Sequence, residues 1–229
     1  MALTLYELGG LEDRRYSQFS WRTRLALAHK GLPVTCKPVR ISDKAAITFS
    51  GQNNVPILVD SDTTIVDSWK IAEYLEDKYP DGPSLFGGAV GRGVARFVNA
   101  WVDRQIIPAA LPLVVCDVEG IVDADDGAHL RSFMERILRA TFAEMREQRA
   151  ERKAAWKRLL DPARATLKSQ PFLSGAAAAY PDYILFSVFQ WARIISTFEL
   201  LEPDDPLSLW RERMLDLFEG LARNAPARH

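Results

Sequence analysis

Cysteine, histidine and long apolar runs are all scarce in this chain, and each scarcity removes a class of function. Only Cys36 and Cys116 occur, far apart in 229 residues, so neither a disulfide framework nor a cysteine-rich metal site is expected. The three histidines, His29, His129 and His229, show no metal-ligand spacing and read as surface-helix or tail residues. Residues 33–39 and 111–118 are too short and too interrupted by proline to span a bilayer. The start, MALTLYELGG, lacks a basic segment followed by an apolar one, so a reducing cytoplasm is the expected location. An excess of one charge is missing too. With 29 Lys+Arg against 30 Asp+Glu, no global field points to nucleic acid or an acidic membrane. No phosphate-binding glycine loop, dinucleotide fingerprint, nucleophile elbow or internal repeat is present. What remains is a chain able to bury a substantial core in one or two domains.

The most informative stretch runs from Asn54 to Pro80, NVPILVDSDTTIVDSWKIAEYLEDKYP. Ile57-Leu58-Val59, the stop Asp60-Ser61-Asp62 and the β-branched run Thr63–Val66 predict strand, turn, strand. Asp67-Ser68 then opens a helix whose Ile71, Ala72, Leu75 and Tyr79 form one apolar stripe, and Pro80 ends it. Pro56 cannot donate to a ladder, so it belongs at a strand start or in a cis turn, and it leaves the backbone of Val55 unpaired. An unpaired backbone beside a helix N-terminus carrying Asp67 and Ser68 suits a zwitterionic amino acid, with its carboxylate on the serine and its ammonium on the aspartate. The plainer reading is that Asp67 or Ser68 only caps the helix.

This order of Val-Pro, two strands, Asp-Ser and helix resembles the glutathione-binding half of the glutathione transferases, a thioredoxin-like domain. The run DSWKIAEYLEDKYPDGPSLFGG is most similar to the serine-type branch that includes bacterial β-aryl etherases and some fungal transferases. The resemblance implies an α/β thioredoxin-like domain over residues 1–83 and an all-helical domain over 90–229. It implies glutathione as cosubstrate, with its cysteinyl backbone on Val55 beside cis-Pro56 and its γ-glutamyl end on Asp67 and Ser68. A lysine often stands just before the Val-Pro pair to meet the glycine carboxylate. Here Asn54 holds that place with Gln52 nearby, and an amide donates without a charge, so the contact should be weaker.

Upstream, Leu3–Leu8 alternates like a strand, and Trp21, Leu25, Ala28 and Leu32 make a helical stripe that stops at Gly31. Ser17 lies just before this helix. A hydroxyl there, with the helix's positive end, can donate to a thiolate and favour it over the thiol, although Ser17 or Ser20 could equally serve only as a cap. Serine-type relatives carry Ser-Pro-Phe before an arginine-containing helix, and S17-Q18-F19-S20-W21-R22 keeps the serine, phenylalanine and arginine but not the proline. The resemblance therefore makes Ser17 the thiolate stabiliser. Tyr6 is its rival, at the place of the catalytic phenol in tyrosine-type relatives. No cysteine occupies either place, which argues against thiol-reductase chemistry. Residues 34–39 predict an edge strand because of Pro38, with Cys36 as apolar filler. Residues 40–53 read as irregular.

From Gly91 the pattern is helical: residues 92–118 as one long helix kinked by Pro108 and Pro112, 127–149 as a second, and 151–168 as its continuation or another. Asp182 faces the free amides of a core helix striped by Leu185, Val188, Phe189 and Ala192, and is structural. Arg14-Arg15 and the basic run from Arg149 read as solvated faces. The expected chemistry is thiolate attack on a small apolar electrophile, ether cleavage included, in a detoxifying transferase. Its acceptor pocket is expected between Leu8-Gly9-Gly10 and the first long helix, near Trp101 and Gln105. A non-catalytic ligand carrier and a glutathione-dependent peroxidase are the alternatives. The resemblance also implies a homodimer, with the segment Asp62–Tyr79 against residues 92–104 and Phe97 and Trp101 as anchors, unless both aromatics belong to the core or the pocket.

Overall fold

The structure, a computed structural model, describes residues 3–228; His229 lies outside them. Strands β1 (Leu3–Leu8), β2 (Val34–Val39), β3 (Ile57–Asp60) and β4 (Thr63–Val66) form one sheet in the order β2-β1-β3-β4. β2 runs parallel to β1, while β3 is antiparallel to both β1 and β4. Pro38 sits on the edge strand, where its missing N–H costs no ladder bond. Helices α1 (Gln18–His29) and α2 (Ser68–Lys78) pack against each other, burying Trp21, Leu25, Ile71 and Leu75 with Leu5 and Leu58 of the sheet. The Val55-Pro56 peptide is cis, and Val55 has no ladder partner because β3 starts at Ile57. Asp60 is buried and accepts from the hydroxyls of Tyr74 (2.8 Å) and Tyr79 (2.5 Å), which ties β3 to the end of α2. The segment expected to be irregular contains a short 3-10 helix, Lys44–Ser50, capped by Asp43 and ended by Gly51 at a left-handed φ of 67°.

The second half is helical: α3 (Ala89–Trp101), α4 (Ile107–Val114), α5 (Ala124–Leu138), α6 (Phe142–Glu147), α7 (Arg149–Leu159), α8 (Asp161–Leu167), α9 (Tyr180–Ile195) and α10 (Pro206–Gly220). The single helix expected over 92–118 is instead a relay. α3 passes through a π turn at Val102–Ile106 into α4, and a 3-10 segment at Val115–Gly120 follows. Pro108 lacks an N–H and its ring crowds the carbonyl one turn back, and a widened turn ahead of it relieves both. The helix expected over 127–149 is also broken. α5 ends where Arg139 turns left-handed (φ 53°), and Thr141 and Glu144 start α6 with reciprocal cap bonds of 3.2 and 2.7 Å.

α9 is buried almost all round and packs against α1, α3, α4 and α10. Asp182 accepts from the amides of Leu173 (2.7 Å), Ser174 (3.1 Å) and Ala179 (3.2 Å) and from Trp210 Nε1 (3.0 Å). Ala179 has no hydroxyl to return a bond, so only the acidic half of a capping box exists here. His29 is not a free surface residue: its ring nitrogens meet Tyr183 Oη (2.7 Å) and the Ser84 carbonyl (3.1 Å). Arg15 is not a solvated face either, since it pairs at 3.3 Å with Glu7, a fully buried carboxylate that Arg24 also reaches at 3.3 Å. Burial raises the Glu7 carboxyl, with Arg24 and Arg15 opposing. Arg149 likewise binds Asp117 (2.9 Å) and the Cys116 sulfur (2.7 Å).

Candidate active site

Two helix N-termini define the site. Ser17 caps α1: its Oγ accepts from the Ser20 amide at 3.2 Å, and its own hydroxyl proton stays available to donate. Asp67 caps α2 from a positive φ of 79°, which a short Asp side chain tolerates. Both of its cap bonds, from the amides of Trp69 (3.0 Å) and Lys70 (3.1 Å), use Oδ1, so Oδ2 is without a partner among the described residues. Capping and ligand binding therefore do not compete at either residue. Ser68, buried, is the first residue of α2, and its carbonyl accepts from Tyr180 Oη at 2.8 Å, which ties α2 to α9.

Ser17, Gln52, Asn54, Val55, Pro56, Asp67 and Ser68 all line one cavity of about 590 Å³. Its inner wall is apolar, built from Leu8, Leu111, Val115, Leu130, Phe133 and Trp191. The cavity opens on α4 and α5: Leu8 and the 111–118 end of the helix expected over 92–118 line it as expected, whereas Trp101, Gln105, Gly9 and Gly10 line no part of it. The two glycines serve close packing instead: a Cβ on Gly10 would stand 2.3 Å from the Ile121 carbonyl oxygen, and one on Gly9 would stand 2.5 Å from Pro38 Cβ. Tyr6 also lies outside the cavity, with its ring 5.0 Å from that of Phe49 and Lys37 Nζ 5.4 Å from its centre.

A second cavity of about 880 Å³ meets the first over the start of α2, because Phe19, Asp67 and Ser68 line both. Its far side carries Arg96, Asn99 and Asp103. Beneath lies Arg22, 1% exposed, which donates to Ser187 Oγ (3.2 Å), Asn99 Oδ1 (3.1 Å) and Asp103 Oδ1 (2.7 Å). A long polar ligand with an apolar appendage suits this pair of cavities. Free carboxylate oxygens and helix amides lie at one end, an unpaired backbone in the middle and an apolar chamber at the other.

Sequence reasoning missed three lining residues. Arg40, paired with Asp123 at 2.5 Å, brings a cation into the cavity that Gln52 and Asn54 line, where only amides were expected. His129 stacks on Phe133 at the mouth, with ring centres 6.4 Å apart. Tyr16, the residue before Ser17, is buried with its hydroxyl unpaired among the described residues. None carries a sequence signal: Arg40 and His129 come together where α5 docks against the segment after β2, with the Ser42 amide donating to Asp126 at 3.0 Å, and Tyr16 is set by the loop before α1. Cys36 is no nucleophile: burial first, then the Glu7 charge, pushes its thiol up to about 11. Among the described residues no group of three or more His, Cys, Asp or Glu is arranged for a metal, and no helix is long and apolar enough to cross a membrane.

Comparison with known proteins gives concordant matches over both halves. The glutathione S-transferase N-terminal domain matches residues 16–78, and the glutathione S-transferase C-terminal domain matches residues 93–221. Glutathione S-transferase Z2 of Arabidopsis thaliana is 40% identical over 74 residues, which cover 30% of this chain and 33% of that protein. The chain spans about a third to a little over half of the length of the curated relatives it matches. A glutathione S-transferase of Ceriporiopsis subvermispora, solved in complex with glutathione, superposes with a TM-score of 0.79 at 20% identity, covering 95% of this chain and 96% of that one. Glutathione transferase GSTFuA3 of Phanerochaete chrysosporium gives 0.77 at 24% identity, covering 96% and 92%. At these identities the superpositions show the fold: a thioredoxin-like sheet domain followed by a helical domain.

Proposed function

The chain belongs to the glutathione S-transferase family, and from that premise we propose that it binds glutathione as cosubstrate and transfers its sulfur to a small apolar electrophile. The carrying observation is that seven residues singled out in the sequence line one cavity, at the meeting of two helix N-termini. Glutathione lies extended, with its γ-glutamyl carboxylate at Ser68 and the first amides of α2, its ammonium at the free Oδ2 of Asp67, and its cysteinyl backbone on Val55 beside Pro56. Gln52 and Asn54 serve the glycine carboxylate, with Arg40 adding the charge that the amides lack. Ser17 donates to the thiolate. A thiol of pKa about 8.5 needs a shift of only one or two units, about 1.4 kcal/mol each, to ionise at neutral pH, within reach of one charge-assisted hydrogen bond plus the end of α1.

This makes the protein a serine-type transferase. Its working context is that of a cytoplasmic detoxifying enzyme acting as a homodimer, built from units 1–83 and 90–229, and aryl ethers are one electrophile class to assay. The deciding experiment pairs calorimetry of glutathione binding with turnover of a generic aryl halide. Binding with turnover is the expected result. Binding without turnover makes the protein a ligand carrier, and absence of both defeats the reading.

A further inference from the structure

Ser17 ends a loop that leans on a buried carboxylate. The turn Leu11–Asp13 buries no side chain, and Glu12 and Asp13 stand in left-handed backbone at φ 54° and 59°. Backbone bonds tie the start of the loop, from the Leu11 amide to the Ile121 carbonyl (2.7 Å) and from the Gly10 amide to the Arg14 carbonyl (2.8 Å). The end that leads into Ser17 packs the ring of Tyr16 into the core and is bonded through Arg15. The Arg15 guanidinium reaches inward to Glu7 Oε1 at 3.3 Å and outward to exposed Asp13 at 3.0 Å, while its carbonyl accepts from Trp21 Nε1 at 2.6 Å. Trp21 in turn donates its amide to the Ser17 carbonyl at 3.0 Å. Arg15, Ser17 and Trp21 therefore close a ring around the start of α1, and Glu7 fixes that ring to the sheet.

Glu7 is fully buried, in line with Leu3 and Leu5 on the core face of β1. Its Oε1 serves both Arg15 and Arg24, each at 3.3 Å, and its Oε2 has no partner among the described residues. A buried charge shared in this way is a weak source of stability, since apolar side chains often do as well and an unpaired carboxylate oxygen adds a cost. It does supply a fixed point. Cations from two stretches, the loop at Arg15 and α1 at Arg24, converge on one oxygen of β1, and Ser17 lies between them in the chain.

We propose that Glu7 is a positioning residue of the transfer reaction: through Arg15 it holds the loop so that the Ser17 hydroxyl stands at the N-terminus of α1 within reach of the thiolate. This rests on the reading of Ser17 as thiolate stabiliser. Neither Glu7 nor Arg15 lines either of the two cavities, so their effect on the reaction passes through the loop. Displacing a catalytic group by about 1 Å is enough to cost a large part of its effect.

The test uses the two arginines, which pair with the same oxygen at the same distance although only Arg15 belongs to the loop. With a generic aryl halide, Arg15→Gln should lower kcat about tenfold and raise the ionisation of bound glutathione by about one pH unit, read from thiolate absorbance, with glutathione affinity changed less than about threefold. Arg24→Gln should leave all three within about twofold. Glu7→Gln, which keeps the shape and drops the charge, should move kcat and the ionisation in the same direction as Arg15→Gln. A cluster that only supports the fold predicts equal effects of the two arginine variants, and that result overturns the assignment, as does a silent Arg15→Gln or a silent Glu7→Gln. In the Ser17→Ala background Arg15→Gln should cost less than about twofold more, because the group it positions is gone, whereas a second full loss shows that it acts elsewhere. If Ser17→Ala alone is silent, the serine-type reading falls and the proposal with it; if Ser17→Ala lowers turnover and Arg15→Gln does not, only the proposal falls. Should Arg15→Gln fail to fold, Arg15→Lys keeps the charge opposite Glu7 but cannot hold Glu7 and Asp13 at once. It should still lower kcat at least about threefold where Arg24→Lys does not, and equal effects of that pair overturn the assignment.

Discussion

Ser17 and Asp67 each cap a helix, and the second role proposed for each can be separated from the cap. Ser17→Ala should lower turnover at least tenfold while glutathione affinity moves less than about threefold, because the hydroxyl acts on the thiolate more than on the bound peptide. Tyr6→Phe should do much less, its ring lying against Phe49 outside the cavity. Steady-state kinetics on the two variants checks this, and the reverse order would remove the serine-type assignment. At the other helix, Asp67→Asn keeps a side-chain oxygen to cap Trp69 and Lys70 but removes the charge. Glutathione affinity should fall several-fold by calorimetry with little change in the thermal midpoint, whereas a pure cap would leave the affinity unchanged as well. These residues were legible because Val-Pro and Asp-Ser each carry a backbone consequence. Glu7 was half legible: it shares the inward parity of Leu3 and Leu5, so alternation alone places a carboxylate in the core, but nothing local reveals that Arg15 and Arg24 meet it.

At the scale of elements, β1 to α2 follow from alternation, proline placement and the glycine stop after α1, all local signals. The helical half was read too smoothly. Periodicity carries across a break when the stripe resumes in phase, and the signals that end α5 and begin α6 are an arginine in left-handed backbone and the T-x-x-E cap at Thr141 and Glu144. Caps differ in worth by what they satisfy. Thr141→Ala removes one exposed cap and should cost about 1 kcal/mol in urea unfolding. Asp182→Ala leaves three amides and the Trp210 indole N–H without their acceptor in a buried place, and should cost about 3 kcal/mol or more. Comparable losses in the two variants would mean that water replaces the carboxylate and that Asp182 does not organise the start of α9.

At the scale of the whole molecule, the sheet half and the helical half meet through polar contacts such as those of Arg22, Arg40 and Ser42, and the His29–Tyr183 contact is one that titrates near neutral pH. Burial, with Lys30 adding to it, holds the ionisation of His29 below the ordinary 6.5 despite the Ser84 carbonyl and Glu76. Unfolded protein therefore binds a proton near pH 6.5 that folded protein resists, so this contribution to stability is present above 6.5 and lost on acidification below it. His29→Gln keeps a donor and an acceptor without the titration. The stability of the native protein relative to this variant should decline from pH 7.5 to 5.5, as measured by urea midpoints, and a widening gap would reverse the assignment.

The outer face of α3 bears on assembly. Val90, Val94 and Phe97 recur at i, i+4 and i+7 and are 84%, 56% and 73% exposed, an apolar stripe on a helix whose opposite side is packed. Of the two aromatic anchors expected from the sequence, Phe97 lies on this stripe, whereas Trp101 turns inward against the core. The stripe shares α3 with the cavity of Arg96, Asn99 and Asp103, so a second copy seated here would cover apolar surface and approach the polar end of the proposed glutathione site. Light scattering at micromolar concentration should give a mass near twice the 25.8 kDa of one chain. Phe97→Glu, which places a charge at the aromatic end of the stripe on a residue 73% exposed, should return the mass to that of a single chain with the fold intact by circular dichroism. A native protein already at the single-chain mass refutes the dimer, and a dimer that survives Phe97→Glu places its interface elsewhere.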